Sequence, residues 1–220
     1  MDDDLDDLIR RVDPDRWLSS RFIGDAQARA DVIAIYAYDH ELARAPRVAS
    51  NPLLGEIRLT WWREMLDEAY EGRHVRHHPT AQALADVIRR HDLPRAPLEA
   101  MIDGRYRELD AAPLTPDEAL AWARDTGGLS AEVAAMILKP GADAAPARAG
   151  GTAWVLARRA EDEPALVGIA AKTARGAREA VRKLSAEAFP AVAHAVLPGR
   201  RRSAFMDRLK LTLAVARGRI

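Results

Sequence analysis

The amino-acid sequence predicts an all-α fold made of one domain that spans residues 1–220. Apolar residues recur at intervals of three and four through most of the chain, which is the period of a helix with one buried face. Residues that begin and end helices frame these stretches, and runs with strand-like alternation are absent. The composition, with 48% hydrophobic and 30% charged residues, is ordinary for a globular domain.

The first part of the chain predicts an acidic start followed by two long helices. Residues 1–8 carry five aspartates and are expected to be disordered. A helix over residues 28–44 comes next. Asn51 and Pro52 then supply a cap and a first-turn proline for a helix that ends at Gly72. The apolar face predicted for this second helix consists of Leu54, Ile57, Trp61 and Met65.

The second part of the chain predicts a series of shorter helices. We expect Thr80 to cap a helix with Leu84, Val87 and Ile88 on its apolar face, and a further helix to end before Pro113. Thr115 and Glu118 have the spacing of a capping box, which predicts a helix to about residue 138. Residues 139–151 are predicted to form a long loop. The remaining helices are predicted near residues 152–159, 166–189 and 201–215.

Composition also limits the classes of function. The chain has no cysteine, so it has no disulfide, thiolate metal site or cysteine nucleophile. The acidic start is no targeting signal, and no apolar run approaches the ~20 residues that span a bilayer, which predicts a soluble cytoplasmic protein. The net charge of zero makes nucleic acid a poor partner. The basic C-terminal segment, residues 200–219, either approaches anionic lipid or an acidic partner, or is a solvated helix face, which we favour.

Asp39 is the first candidate site residue. On a helix it shares one face with Val32, Ile35, Tyr36 and Ala43, so an ionisable group interrupts an apolar stripe. A buried carboxylate needs a cation or several hydrogen-bond donors. Asp39 therefore either holds a metal or orients a basic group in a cavity, or it pairs with an arginine such as Arg58 or Arg63 on a neighbouring helix, which we favour.

Aromatic and histidine side chains give weaker signals. Trp61 belongs to the predicted apolar face, whereas Trp62 is rotated by about 100° and is expected to face a second layer or a partner. Both could also line a lipid cavity. The three histidines of residues 71–79 have a spacing that can bind zinc, although an exposed loop is the favoured interpretation.

Four segments carry a family resemblance. They are residues 13–22 (DPDRWLSSRF), 35–44 (IYAYDHELAR), 59–72 (LTWWREMLDEAYEG) and 151–162 (GTAWVLARRAED). In order and spacing they resemble the conserved blocks of the squalene/phytoene synthase family. The resemblance implies an isoprenoid-synthase-like helical bundle around a central cavity. In active members, two Asp-rich clusters on facing helices bind Mg²⁺ and prenyl diphosphates.

The chain departs from the family at both of these clusters. The first reads Ala43, Arg44 and Arg47. At the second, Val155 and Arg158 replace polar residues, and only Asp162 can represent an aspartate. Arginine cannot ligate Mg²⁺ and would repel it. We therefore expect no catalytic residue, no metal site and no cofactor, with Mg²⁺ relevant only if the chain is an active prenyltransferase.

The same comparison yields a set of candidate ligand-binding residues. They are Asp39, Arg44, Arg47, Arg58, Trp62, Arg158 and Asp162. If the helices face one another as in the family, Arg44 and Arg47 approach Arg158 or Arg159 across the cavity mouth. Such a cluster either meets an anionic headgroup, a diphosphate or an acidic partner, or its arginines pair locally with Glu41 or Asp162.

Three functions follow as alternatives. Segment 40–70 resembles a divergent branch of the family more than the active enzymes, and that branch includes a mitochondrial complex I assembly factor. This resemblance implies a non-catalytic assembly or lipid- or isoprenoid-linked binding role with a protein partner. The second alternative is a prenyltransferase with a rebuilt site that condenses farnesyl or geranylgeranyl diphosphate. The third is a metal-free module that binds an anion or diphosphate. The implied location is cytoplasmic, including a peripheral position at the inner membrane.

Overall fold

The computed structural model describes residues 2–48, 51–197 and 203–220, and within these ranges the regular structure is entirely helical. The α-helices are α1 (Asp2–Val12), α2 (Pro14–Ser20), α3 (Ala26–Val48), α4 (Pro52–Tyr70), α5 (Pro79–His91), α6 (Arg95–Tyr106), α7 (Pro116–Ala123), α8 (Leu129–Leu138), α9 (Ala145–Ala160), α10 (Val167–Val181) and α11 (Ala204–Arg217). Short 3₁₀ turns follow α9 and α10. The predicted all-α fold is confirmed.

The acidic start is helical from Asp2 onward, whereas disorder was expected over residues 1–8. Helix α1 begins at Asp2, and its Leu5 and Ile9 are buried against α3. Apolar residues four positions apart give this helix a face to bury, while acidic residues in the first turn are favourable at a helix N-terminus. Residue 1 lies outside the described residues.

Helix α3 is the centre of the bundle. Residues 31–39 are buried without interruption, because α1, α4, α5, α6 and α8 all pack around this helix. A helix surrounded on every side has no polar face, and any ionisable residue on it must find its partners inside the protein. Asp39 lies at the end of this buried stretch, so the fold itself carries a carboxylate into the interior.

Helix α4 begins and ends where predicted, but of the four residues predicted for its buried face only Met65 is fully buried. Asn51 caps the helix by accepting a hydrogen bond from the backbone N–H of Leu53 at 2.9 Å. Leu54 and Ile57 are 44% and 55% exposed, whereas Trp62 is 4% exposed. The buried stripe, which begins nearer the middle of the helix, consists of Leu59, Trp62, Met65, Leu66 and Ala69. Trp62 is thus a core residue, and Trp61 is half-buried.

The shorter helices show one further correction. Thr80 does not cap α5, because the helix begins at Pro79 and Thr80 is buried inside its first turn. The predicted apolar residues of that helix, Leu84, Val87 and Ile88, are buried. The capping box is confirmed: the N–H of Thr115 donates to the Glu118 carboxylate at 2.8 Å, and the N–H of Glu118 donates back to the Thr115 hydroxyl.

A close helix crossing replaces most of the predicted loop over residues 139–151. Helix α9 already begins at Ala145, so Gly150 and Gly151 are helical. At Gly151 a Cβ atom would collide with the carbonyl oxygen of Gly127, in the π-helical turn Arg124–Gly128 that connects α7 to α8. The glycines therefore allow two backbones to touch. Helix α10 ends at Val181 rather than near residue 189, and 3₁₀ turns follow it.

Candidate functional site

A buried ion network occupies the interior between α2, α3 and α6. The carboxylate of Asp39 accepts a hydrogen bond from Nη1 of Arg16 at 2.5 Å and another from Nη2 of Arg105 at 2.7 Å. All three side chains are buried. The expectation that Asp39 pairs with arginine was right, but the expected partners were wrong. Arg63 binds Asp103 instead, and Arg58 is exposed.

The network continues from Arg105 towards the surface. Nη1 of Arg105 donates to Glu108 at 2.6 Å, and the indole N–H of Trp122 donates to the same carboxylate at 2.8 Å. Arg47 lies 3.8 Å from the other oxygen of Glu108. Two carboxylates and two buried guanidinium groups therefore alternate from the core to a surface arginine. Such a network is costly to interrupt, because each removal leaves a buried charge without its partner.

The arginines keep Asp39 ionised. Burial alone would raise the pKa of this carboxyl, but Arg105 and Arg16 together lower the pKa to about 2. Asp39 is thus ionised at neutral pH, and two guanidinium groups neutralise its charge. These positive groups would repel a metal ion from the carboxylate.

A second buried cluster adjoins Arg16. Its guanidinium carbon lies 5.1 Å from the ring centre of Tyr36 and 4.7 Å from that of Trp154, and the ring of His194 packs edge-on against Trp154 at 4.7 Å. The Tyr36 hydroxyl, the Trp154 indole N–H and both ring nitrogens of His194 are buried with no hydrogen-bond partner among the described residues. Burial, with Arg16 and Arg158 nearby, holds the pKa of His194 well below its usual value, so this ring is neutral.

The predicted mouth is formed by α3 and α9, but its charges are balanced. A cavity of about 440 Å³ is lined by Arg47, Glu108, Trp122, Val155, Arg158, Arg159, Asp162 and Glu163. Arg158 donates to the buried Asp15 at 2.9 Å, and Arg159 donates to Glu163 at 2.8 Å. Arg47 and Arg158 do line one cavity, as the facing-helix expectation required, yet each of these arginines has a carboxylate within ion-pair distance.

Arg44 does not join this mouth, contrary to the expectation. It donates to Glu41 at 3.0 Å, which is the local pairing considered as an alternative. It lines a separate cavity of about 320 Å³ whose residues are Glu41, Arg44, Ala45, Ile57, Arg58, Trp61, Trp62 and His78. The ring of His78 lies 5.6 Å from Trp61 and 5.4 Å from Trp62. The candidate residues thus divide between the buried network, the mouth and this aromatic cavity.

The residues at the two family metal positions do not fit Mg²⁺. This ion requires near-octahedral oxygen ligands, which usually include carboxylates. The positions carry Ala43, Arg44 and Arg47 on α3, with Val155 and Arg158 on α9. Across the described ranges, no group of three or more histidine, aspartate or glutamate residues converges in a way that could hold a metal ion.

Comparison with known proteins fixes the family. The squalene/phytoene synthase family model matches residues 9–165. The chain belongs to the squalene/phytoene synthase family. A dehydrosqualene synthase, crystallised in complex with a ligand, has the same fold: the TM-score is 0.72 over 98% of this chain and 95% of the other, at 15% sequence identity. This squalene/phytoene synthase family member therefore has the isoprenoid-synthase fold that the resemblance implied.

The relatives with detectable sequence identity include proteins that are named as assembly factors rather than as synthases. The bovine protein, NADH dehydrogenase (ubiquinone) complex I, assembly factor 6, is 31% identical over 104 residues, which is 47% of this chain and 31% of that protein. The human assembly factor 6 is 29% identical over the same shares. The matching region thus spans about a third of each relative. Within the described residues, no helix is both long and apolar enough to cross a membrane.

Three residues of the site were not foreseen from the sequence. Arg16, Arg105 and His194 are buried and hold or adjoin the network. The apolar stripe around Asp39 signalled that a cation must be buried with it, but 33 lysines and arginines were available. No pattern identified Arg16 on α2 or Arg105 on α6, because only the folded arrangement brings them to Asp39.

Proposed function

We propose that this chain is a catalytically degenerate member of its family that acts as an assembly factor for respiratory complex I. The observation that carries the proposal is the replacement of the acidic metal positions by Ala43, Arg44 and Arg47, with the two arginines in ion pairs with the chain's own carboxylates. Prenyl diphosphate ionisation depends on a metal that neutralises the leaving group. The similarity to assembly factor 6 supports complex I as the target.

The proposal includes a cytoplasmic location, peripheral at the inner membrane, and a protein partner. A retained scaffold without metal ligands is suited to binding rather than turnover, because its helices still present a shaped surface. The buried network favours this role too. Arg16, Asp39 and Arg105 connect three helices in the interior and so make the scaffold rigid without a bound substrate.

Two experiments test the assembly role. The purified protein is incubated with farnesyl or geranylgeranyl diphosphate and Mg²⁺, with an active dehydrosqualene synthase as the positive control. We expect no hydrocarbon product, and a product at a comparable rate would restore the prenyltransferase alternative. In the source cell, deletion of the gene should lower the amount of complex I assembled on native gels, and re-expression should restore it. Unchanged complex I in the deletion strain would refute the proposal.

A second candidate function is the binding of an isoprenoid or anionic lipid without metal, which the aromatic cavity favours. Arg44 and Arg58 line this cavity with Glu41 as the one carboxylate among the lining residues, beside the wall formed by Trp61 and Trp62. Guanidinium groups suit phosphate oxygens, and aromatic side chains suit a prenyl chain.

The ligand function is tested by thermal shift with farnesyl diphosphate, with and without EDTA. A stabilisation that EDTA does not remove, and that the double variant Arg44→Ala/Arg58→Ala loses, supports it. The control variant is Arg10→Ala/Arg89→Ala, because both of these exposed arginines pair three residues away, as Arg44 does. Equal responses of the two variants would exclude the cavity as the binding site.

A further inference from the structure

Helix α11 uses one of its faces to attach to the rest of the protein. Asp207, Leu211 and Ala214 are buried, and the helix packs against α2 and the 3₁₀ turn Ala193–Val196. Positions 207, 211 and 214 fall within one narrow arc when residues are spaced about 100° apart on a helix. Among the described residues, the buried positions of α11 therefore lie on this one side of the helix.

The opposite face is apolar and exposed. It consists of Phe205, Met206, Leu209 and Leu213, which are 73%, 44%, 42% and 40% exposed. At about 100° per residue these four side chains share one arc, centred roughly opposite the buried arc. A solvated helix face does not gather four large apolar side chains in this way, and such a patch marks an interaction site. The favoured solvated-face alternative for the C-terminal segment does not explain this apolar patch.

Every exposed charge on α11 is positive. Arg208 lies on one side of the apolar arc, and Lys210 and Arg217 lie on the other, all of them exposed. The helix contains one acidic residue, Asp207, which is buried. Arg200, Arg201 and Arg202 precede the helix in the sequence and lie outside the described residues. An apolar stripe between two basic margins is the pattern of a helix that lies in the plane of a membrane interface.

We propose that the Phe205–Met206–Leu209–Leu213 face of α11 docks on an anionic membrane surface. The apolar side chains enter the headgroup region, and Arg208, Lys210 and Arg217 contact lipid phosphates on both sides. Cations on both margins match a continuous anionic surface better than a protein partner, whose charges are mixed. This inference gives the peripheral attachment proposed above a defined face, and it holds or fails independently of the assembly role.

Vesicle binding tests the proposal with matched variants. The protein should sediment with vesicles of phosphatidylcholine and phosphatidylglycerol, and much less with phosphatidylcholine alone. Leu209→Ser/Leu213→Ser should lower partitioning at least about tenfold. Lys210→Ala/Arg217→Ala should lower it roughly 25-fold on anionic vesicles only, at about fivefold for each cation. The control Leu53→Ser/Leu54→Ser removes two exposed leucines of α4 and should bind as the parent protein does.

A site-specific label gives a second readout that does not depend on weakened binding. The chain has no cysteine, so Phe205→Cys introduces a single site for an environment-sensitive dye, and Leu53→Cys provides the control. The dye at position 205 should report an apolar environment on anionic vesicles, whereas the dye at position 53 should not.

Three results would overturn the proposal. The first is a control variant that loses as much binding as the α11 variant, and the second is a label at position 205 that stays in water while the protein is bound. The third is concentration-dependent dimerisation that Leu209→Ser/Leu213→Ser abolishes, without any vesicle binding. That outcome would make a second copy of the chain the occupant of this face.

Discussion

Arg105 and Asp39, which are 66 residues apart in the sequence, form a buried hydrogen-bonded ion pair of 2.7 Å. The pair connects the central helix α3 to α6, and Arg105 transmits the contact onward to Glu108. Because Arg16 holds the other oxygen of Asp39, the carboxylate is coordinated by guanidinium groups from two helices on either side of it. Ion pairs between side chains of this family member therefore hold the helices of its interior in place.

Replacing Arg105 by Met should destabilise the protein by about 3–5 kcal/mol, because it leaves one contact of Asp39 and one of Glu108 without a buried cation. The control is Arg63→Met, which removes an ion pair with Asp103 at the surface and should cost less than about 1 kcal/mol. Chemical denaturation of both variants measures the difference. Equal losses would mean that the buried pair contributes no more than an exposed one.

Asp39 should make a specific contribution to acid stability. Its folded pKa of about 2 lies below the ordinary value of 3.8, so its stabilising contribution is complete above pH 4 and is lost as the pH falls from 4 towards 2. The contribution is about 2 kcal/mol. Comparing the free energy of unfolding of the parent protein and Asp39→Asn at several pH values measures it. The two should converge at low pH, and a constant gap would contradict the prediction.

His194 should make the fold sensitive to mild acid. The folded protein resists protonating this buried ring, whereas the unfolded chain binds a proton below about pH 6.5, so stability is lost as the pH falls. The slope approaches about 1.4 kcal/mol per pH unit for one proton. Burial also lowers the pKa of His40, which adds to the slope.

The variant His194→Gln should therefore flatten the dependence of Tm on pH between 7 and 5 without removing all of it. His74→Gln, in an exposed position, is the control and should keep the dependence of the parent protein. An unchanged slope in His194→Gln would show that other groups cause the acid sensitivity.

Gly151→Ala should destabilise the protein by about 1–3 kcal/mol, because the new methyl group collides with the Gly127 carbonyl oxygen and lies 2.6 Å from Cβ of Ala131. Gly176→Ala on α10 is the matched control, since no atom lies within 4 Å of its added Cβ. This control should be neutral or stabilising by up to about 1 kcal/mol, because alanine favours the helix. Thermal and urea unfolding distinguish the two, and a tolerated Gly151→Ala would mean that the crossing can separate.

Local signals predicted local structure well. The capping box at Thr115 and the Asn51 cap mark helix starts through contacts within four residues, so the sequence alone contains them. Gly150 and Gly151, in contrast, led to the wrong prediction of a loop. They resemble a loop to any local rule, and only the close approach of α9 to Gly127 explains glycine inside a helix.

The site was less predictable than the helices. The periodicity around Asp39 correctly indicated a buried carboxylate, and the aligned positions of Arg47 and Arg158 correctly indicated one shared cavity. Which cation meets which carboxylate depends on tertiary packing. Spacing could therefore not indicate that Arg105 would hold Asp39, or that Arg44 would line a separate cavity and pair with Glu41.

The π-helical turn Arg124–Gly128 has a consequence for changes of chain length. A π turn contains one residue more than the α turn it replaces, so it rotates the following residues by about 100°. The buried residues of α7, with Trp122 among them, belong to the smaller apolar cluster, whereas those of α8, such as Val133 and Ile137, belong to the main one. Deleting a single residue here would realign α8 with α7 and turn its apolar side away from α3. The one additional residue of the π turn thus allows two consecutive helices, α7 and α8, to pack into two different apolar clusters.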